Sequence, residues 1–184
     1  MPHPINILAI SGSVRAASSN GALLRAAAKL APAGMVFTFY EGLDTLPHFN
    51  PDLDGEGATP PPAVAALRAA FAAADGFVIC SPEYAHGVPG SLKNALDWLV
   101  SSGEQIGKPL ILLNAAPNGG QYAQTALVEI LAVMSANVLE EASLTHSFLR
   151  AKPTKDGELA PKDAQLVRAS LVALAVAVSE NART

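Results

Sequence analysis

A segment rich in glycine and serine, GSVRAASSN at residues 12–20, follows an apolar run and precedes an Ala/Leu-rich stretch. A turn between a strand and a helix leaves backbone N–H groups unpaired at the helix start, where the helix dipole favours an anion. Arg15 adds a guanidinium group suited to a phosphate, and short polar side chains add further donors. These side chains are Ser13, Ser18, Ser19 and Asn20. The segment therefore predicts a phosphate-binding turn.

Simpler roles are open for the same residues. Ser18 or Ser19 is a suitable N-cap for any helix, and Arg15 is compatible with a solvated surface charge. The segment contains neither G-x-G-x-x-G, which binds dinucleotides, nor G-x-x-x-x-G-K-[ST], which binds nucleoside triphosphates. A monophosphate is the ligand that this turn favours.

Five apolar runs alternate along the chain with five stretches of helical character, which predicts a doubly wound α/β fold. The predicted strands are residues 5–10, 35–40, 76–81, 110–114 and 138–144, and the predicted helices are residues 19–30, 62–74, 91–101, 121–135 and 162–180. Five strands suit a right-handed parallel sheet of order 2-1-3-4-5 with helices on both faces. Ligands bind such a sheet beyond the carboxyl ends of its strands. The loops at 11–18, 82–90 and 115–120 are therefore expected to meet.

The loop after the third predicted strand reads SPEYAHGVPG at residues 81–90 and continues as SLKNALDWL at residues 91–99. Its PEY, VPG, LKNA and DW segments resemble the motif of NAD(P)H-dependent FMN reductases of the flavodoxin-like superfamily. This group includes quinone, chromate and azo-dye reductases. The turn at 12–20 resembles the FMN-phosphate loop of the same family, and LPHFN at 46–50, with Asp52, resembles the stretch before its second helix.

The resemblance implies a flavodoxin-like three-layer fold, bound FMN, and NADPH or NADH as co-substrate. Carried over position by position, it assigns the FMN phosphate to Ser13, Arg15, Ser18 and Asn20. It assigns the isoalloxazine ring to Pro82, Glu83 and Tyr84. The turn at 115–120, with Gly119 and Gly120, resembles the family's glycine turn against the ring. Glycine at such a turn lets backbone N–H groups approach a flat ligand.

Several positions allow two interpretations. The family usually has Asn after the Glu-Tyr pair, whereas this chain has Ala85, so the contact of that Asn side chain is absent. His86 either replaces the lost polar group near the flavin or is a solvated loop histidine. Trp98 is compatible with a subunit interface or with the core. The long segment at 41–59 is either a functional or interface loop or a flexible surface loop.

Length and composition predict a single domain, residues 1–184, that acts on a small molecule. The chain has 50% hydrophobic residues and a net charge of -4 without a basic cluster, which argues against nucleic acid and membrane partners. Its one cysteine, Cys80, excludes an intrachain disulfide and is expected to be a buried, inert thiol. No metal-ligand cluster, signal peptide or membrane span is predicted, which favours the cytoplasm. The family resemblance implies a homodimer or homotetramer.

The family resemblance implies an FMN-containing oxidoreductase that passes hydride from NAD(P)H to the flavin and on to a quinone, a flavin or a similar acceptor. Such chemistry needs no catalytic acid or base from the protein, and the sequence offers no defensible triad or carboxylate pair. A flavodoxin-like electron carrier that does not oxidise a nicotinamide is the main alternative. A hydrolase with Ser13 or Ser18 as nucleophile is a weaker one, because His3, His48 and His146 have no motif context as a base.

Overall fold

A computed structural model describes residues 4–116, 119–145, 153–154 and 156–183. Five parallel strands form one sheet of order β2-β1-β3-β4-β5, which confirms the predicted topology. The strands are β1 (Ile5–Ser11), β2 (Met35–Tyr40), β3 (Gly76–Cys80), β4 (Pro109–Leu113) and β5 (Asn137–Val138). The helices are α1 (Ser19–Lys29), α2 (Pro62–Ala73), α3 (Gly90–Asp97), α4 (Gln121–Val133) and α5 (Pro161–Asn181).

The central strands are buried on both sides, which explains their unbroken apolar sequences. All five residues of β3 and all five of β4 are buried. Because successive side chains of a strand point to opposite faces, each strand contributes to two cores. Phe77 and Ile79 pack in the core covered by α2, α3 and α4, whereas Val78 and Cys80 pack in the core covered by α1 and α5. The sheet is thus the middle of three layers.

The predicted fifth strand, residues 138–144, is wrong in extent. The ladder pairs only Asn137 and Val138 of β5 with β4, and a 3₁₀ turn follows at Glu140–Ala142. The chain returns to β4 at Leu144, whose backbone N–H donates to the Leu112 carbonyl at 2.8 Å. Between these points the Ser143 hydroxyl accepts the hydrogen bond from the Leu112 N–H at 3.0 Å, in place of a strand carbonyl. A side chain therefore substitutes for strand backbone there.

The predicted third helix, residues 91–101, ends earlier, at Asp97. The Arg68 guanidinium on α2 donates from Nη2 to the Trp98 carbonyl at 2.7 Å, so a side chain satisfies this helix-terminal acceptor. Trp98 itself is fully buried, and its Nε1 donates to the Pro47 carbonyl at 2.9 Å. Phe49 packs edge-on against it, with ring centroids 5.0 Å apart. Of the two interpretations of Trp98, core packing is therefore the one that the structure confirms.

The segment at 41–59 is anchored to its neighbours by side chains. Asn94 on α3 accepts from the Phe49 N–H at 2.7 Å and donates to the Pro47 carbonyl at 2.9 Å. Further along, Asp54 forms an ion pair with Arg68 at 2.6 Å. Burial on its own raises the pKa of Asp54, but hydrogen bonds from Arg68 and Ser101 and the charge of Arg68 together outweigh burial and lower it. Side chains of α2 and α3 thus hold the segment at Pro47, Phe49 and Asp54, whereas residues 55–59 are exposed.

We expect Arg68→Ala to lower the free energy of unfolding by about 1–3 kcal/mol, because it leaves a part-buried carboxylate and a buried carbonyl without their donor. Because the folded-state pKa of Asp54 is lowered, its contribution exists above the ordinary carboxyl pKa and disappears as the pH falls through the folded-state value. Urea unfolding at several pH values should show that the variant loses less stability on acidification than the parent.

A surface ion pair provides the control. Lys93 and Asp97 on α3 form an i,i+4 pair at 2.6 Å with substantially exposed side chains. Lys93→Ala should therefore cost no more than about 0.5 kcal/mol. Equal losses in the two variants would contradict the role given to Arg68.

Candidate functional site

The loops that follow β1, β3 and β4 meet at the carboxyl edge of the sheet, as the topology predicts. Gly12, directly after β1, donates its N–H to the Cys80 carbonyl at the end of β3 at 2.9 Å. A Cβ at Gly12 would lie 2.8 Å from the Ser81 Oγ and 3.2 Å from its Cα. Only glycine lets the two loops approach this closely, so residue 12 sets the distance between them.

Serine hydroxyls hold the loop between β1 and α1. The Ser11 hydroxyl accepts from the Ser13 N–H at 3.3 Å, and the Ser13 hydroxyl accepts from the Arg15 N–H at 3.3 Å. The Ser18 hydroxyl accepts from the Gly21 N–H at 3.4 Å, so Ser18 is the N-cap of α1. Within the described part of the chain, the N–H groups of Ala16 and Ala17 donate to no protein atom. These N–H groups precede the positive end of α1, where an anion is favoured.

A first cavity, of about 220 Å³, lies over this loop and is lined by Ser13, Arg15 and Ser18. Arg25, further along α1, also lines this cavity. Glu41 and Asp44 line it from the segment after β2. Sequence reasoning missed Arg25, although the i, i+3, i+7 spacing of Ser18, Gly21 and Arg25 marks one helix face.

Tyr40, at the end of β2, is a further residue of the first cavity that sequence reasoning missed. Burial of its hydroxyl, helped by the charge of Asp44, raises its pKa. At neutral pH the Tyr40 hydroxyl is therefore protonated and can donate a hydrogen bond. The cavity thus combines two guanidinium groups and a neutral donor with the carboxylates of Glu41 and Asp44.

A second cavity, of about 350 Å³, lies between the start of α1 and the loops after β3 and β4. It brings together five of the predicted site residues, Asn20, Pro82, Glu83, Gly119 and Gly120. Asn20, which the resemblance assigns to the phosphate with Ser13 and Arg15, lines this second cavity and not the first. Ser18 lines the first cavity and Ser19 and Asn20 line the second, so consecutive residues at the start of α1 contribute to the two cavities.

Asn114, which sequence reasoning missed, organises the glycine turn. Its buried side chain donates from Nδ2 to the Gly119 carbonyl at 3.0 Å and accepts from the Ala116 N–H at 2.8 Å. Gly120 has a left-handed φ of +91°, and a Cβ there would lie 3.1 Å from the Asn114 Nδ2. Pro117 and Asn118 of the predicted turn lie outside the described residues.

The Glu83 carboxylate faces α4. Its Oε2 accepts from the Ala123 N–H at 2.9 Å, in the first turn of that helix. The N-cap residue, Gly120, has no side chain with which to cap the helix, so Glu83 supplies the missing acceptor from another loop. A negative charge also suits the positive end of the helix dipole.

The chain reverses in a tight turn between Tyr84 and Gly87, closed by backbone hydrogen bonds of 3.1 and 2.9 Å in the two directions. The two central residues both have left-handed backbones, with φ of +48° at Ala85 and +60° at His86. The His86 ring stacks on the Tyr122 ring, with centroids 4.3 Å apart. Both rings line a third cavity, of about 840 Å³, on the outer side of α4. His86 is thus exposed but has an ordered aromatic partner, and it does not line the second cavity.

The geometry does not favour a hydrolase. The Ser13 and Ser18 hydroxyls already accept backbone hydrogen bonds, and no histidine lines the first cavity. His3 and His146 lie outside the described residues.

Over the described ranges, no three His, Cys, Asp or Glu side chains are grouped to hold a metal ion. In those same ranges, no helix has the length and apolar character to cross a bilayer.

Comparison with known proteins gives consistent matches. A family profile described as NADPH-dependent FMN reductase matches residues 5–149. The chain is 34% identical to an NAD(P)H-dependent FMN reductase of Pseudomonas aeruginosa over 95% of each sequence. It is 33% identical to a quinone reductase of Escherichia coli over 83% of this chain and 82% of the relative. The flavoenzyme FerB of Paracoccus denitrificans, an NAD(P)H:(acceptor) oxidoreductase, has a similar structure, with a TM-score of 0.84 at 23% identity and coverage of 96% and 98%.

The strained turn yields a stability prediction. Because an L-residue in the left-handed region costs about 1–2 kcal/mol, we expect Ala85→Gly to raise the free energy of unfolding by about 0.5–1 kcal/mol. As a control, Ala69→Gly on the exposed face of α2 should lower it by about 1 kcal/mol. Chemical denaturation measures both effects. A loss of stability in Ala85→Gly would show that the turn is not strained.

Proposed function

Because the chain belongs to the NADPH-dependent FMN reductase family, we propose that its first and second cavities together bind FMN. Ser13, Arg15 and Ser18 are proposed to surround the phosphate. Asn20, which follows Ser18 by two residues, is proposed to contact FMN from the second cavity. The isoalloxazine ring is assigned to Pro82, Glu83, Tyr84, Gly119 and Gly120.

The residues present suit this cofactor. The N–H groups of Ala16 and Ala17 have no acceptor among the described residues and stand beside Arg15, which suits a phosphate. At the other end, a Cβ at Gly119 would meet no atom within 4 Å, so the turn borders open space there, and Gly120 lets the turn approach Asn114 closely. A flat ring with polar edges needs such a close backbone approach. The absence of side chains at the glycine turn and the surplus of donors at the phosphate turn are the observations that support the assignment.

The chain is an NAD(P)H-dependent oxidoreductase of the FMN reductase family. FMN, when bound, supplies the hydride and electron chemistry, so the protein's side chains act by binding and orientation. Arg15 and the start of α1 balance the phosphate charge, and the Glu83–Ala123 hydrogen bond fixes the wall of the second cavity. The Tyr84 side chain is exposed, so a second substrate can reach the outer side of this wall.

We further propose that the acceptor is a quinone or another small redox-active molecule. Relatives named quinone reductase support this choice, and the open third cavity beside Tyr122 offers room for an aromatic molecule.

We also propose a homodimer or homotetramer. Exposed apolar side chains on α4, among them Tyr122 and Val133, support an intermolecular contact on that helix, which light scattering can test.

The direct test is anaerobic reduction. The purified protein is loaded with FMN, freed of excess cofactor and mixed with NADPH or NADH while the absorbance of oxidised flavin is followed. We expect rapid bleaching that a quinone reverses, and the two rates give the preferred nicotinamide. Retained FMN without bleaching would instead indicate an electron carrier, and failure to retain FMN would refute the proposed site.

Arg15→Ala tests the phosphate assignment. Loss of a charge-assisted hydrogen bond should weaken FMN binding by about 1.5–3 kcal/mol, or roughly 10- to 150-fold in Kd. Arg168→Ala, an exposed arginine on α5, is the matched control and should leave the Kd unchanged. Fluorescence titration of apoprotein with FMN gives both values. If Arg15→Ala binds FMN like the control, Arg15 does not contact the phosphate.

A further inference from the structure

Cys80 lies at the end of β3, directly beneath the loops that form the site, and the chemistry described above does not use it. Its side chain is fully buried in the core between the sheet, α1 and α5. The Sγ donates to the Oδ1 of Asn20 at 3.2 Å. Asn20 is itself 7% exposed and belongs to the first turn of α1, where it lines the second cavity. The thiol therefore links the central strand to a residue of the proposed FMN site.

The proton on this sulfur is retained under ordinary conditions. Burial strongly raises the pKa of the Cys80 thiol, and the backbone of Ala115 acts weakly in the opposite direction. A protonated thiol is a donor, whereas a thiolate would repel the partial negative charge of a carbonyl oxygen. The contact is thus an S–H···O hydrogen bond, and it has no competing donor among the described residues at Oδ1.

The direction of this bond orients the whole Asn20 side chain. An amide has its acceptor on one side and its two donors on the other. With Oδ1 held by the thiol, Nδ2 is the atom left for the cavity, and no described residue accepts a hydrogen bond from it. The reverse orientation would pair the NH₂ group with sulfur, a weak acceptor, and would present an oxygen to the cavity.

We infer that Cys80 is a positioning residue for the cofactor: its thiol holds Asn20 so that the side-chain N–H groups face the second cavity and donate to an oxygen atom of FMN. The inference rests on the proposed function for the identity of the ligand. It adds a residue that neither contacts FMN nor belongs to a recognised motif. Replacing the thiol should therefore weaken FMN binding without removing any group from the cavity wall.

A double-mutant cycle with a conservative rescue tests this chain of contacts. Cys80→Ala should raise the Kd of apoprotein for FMN about 3- to 10-fold, the size expected for one neutral hydrogen bond. Cys80→Ser keeps a donor and should bind FMN more tightly than Cys80→Ala. In the Asn20→Ala background, adding Cys80→Ala should change the Kd less than twofold, because the residue through which it acts is already gone. Additive effects, or a serine variant as weak as the alanine variant, would overturn the inference.

The S–H stretching band gives a second readout that needs neither FMN nor activity. Because Cys80 is the only cysteine, any S–H band in the infrared spectrum of the apoprotein belongs to it. A hydrogen bond to an amide oxygen lowers the stretching frequency, so Asn20→Ala should move the band to higher frequency. An unmoved band would show that the contact is absent. Because the comparison uses only the parent protein and Asn20→Ala, it remains valid even if Cys80→Ala does not fold.

The two readouts separate failure of this inference from failure of the proposed function. If the parent protein binds FMN but the cycle shows no coupling between Cys80 and Asn20, the positioning role is wrong and the FMN site stands. If the parent binds no FMN, the proposed function fails, and with it the assignment of Asn20 to that ligand. Thermal unfolding of each apoprotein variant serves as the control, since a purely structural effect would lower the melting temperature without the predicted coupling in Kd.

Discussion

The N–H groups at the start of a helix need acceptors, and the two helices at this site meet that requirement in different ways. In α1 the N-cap is local, because Ser18 accepts from Gly21, and the N–H groups just before it stay available. In α4 the acceptor comes from another loop, because Glu83 accepts from Ala123. The first arrangement leaves donors for an anion. The second ties the loop after β3 to the helix after β4 and so determines the shape of the second cavity.

The fold was largely predictable from the sequence because its central strands are buried on both faces. Unbroken apolar runs identified β3 and β4, and the alternation with helices predicted the order of the strands. The errors fall where distant side chains replace backbone partners. Arg68 binds the Trp98 carbonyl and ends α3 early, and Ser143 substitutes for a strand carbonyl beside β4. Neither partner is adjacent in sequence, so local patterns carry no sign of them.

The site was predictable to the extent that its residues lie in contiguous motifs. Ser13, Arg15 and Ser18 line one cavity, and Pro82, Glu83 and the two glycines line its neighbour. Asn114 was missed because its role depends on the Gly119 carbonyl and on Thr145, which reach it only after the strands have paired. Cys80 was correctly expected to be buried, but its bond to Asn20 joins residues 60 positions apart. Polar contacts between elements are the part of the site that a motif does not contain.

At Ala85 the chain departs from the family pattern. The backbone turn still closes there, but the alanine makes it less favourable. Asn is among the few non-glycine residues that adopt left-handed backbone readily, and alanine does so at a cost. The turn nonetheless closes with both Tyr84–Gly87 hydrogen bonds, and His86 stacks on Tyr122. The altered position is exposed and lies outside the two inner cavities. Variation at this turn therefore changes an exposed surface, and the hydrogen bonds of Asn20, Asn114 and Glu83 involve neither Ala85 nor His86.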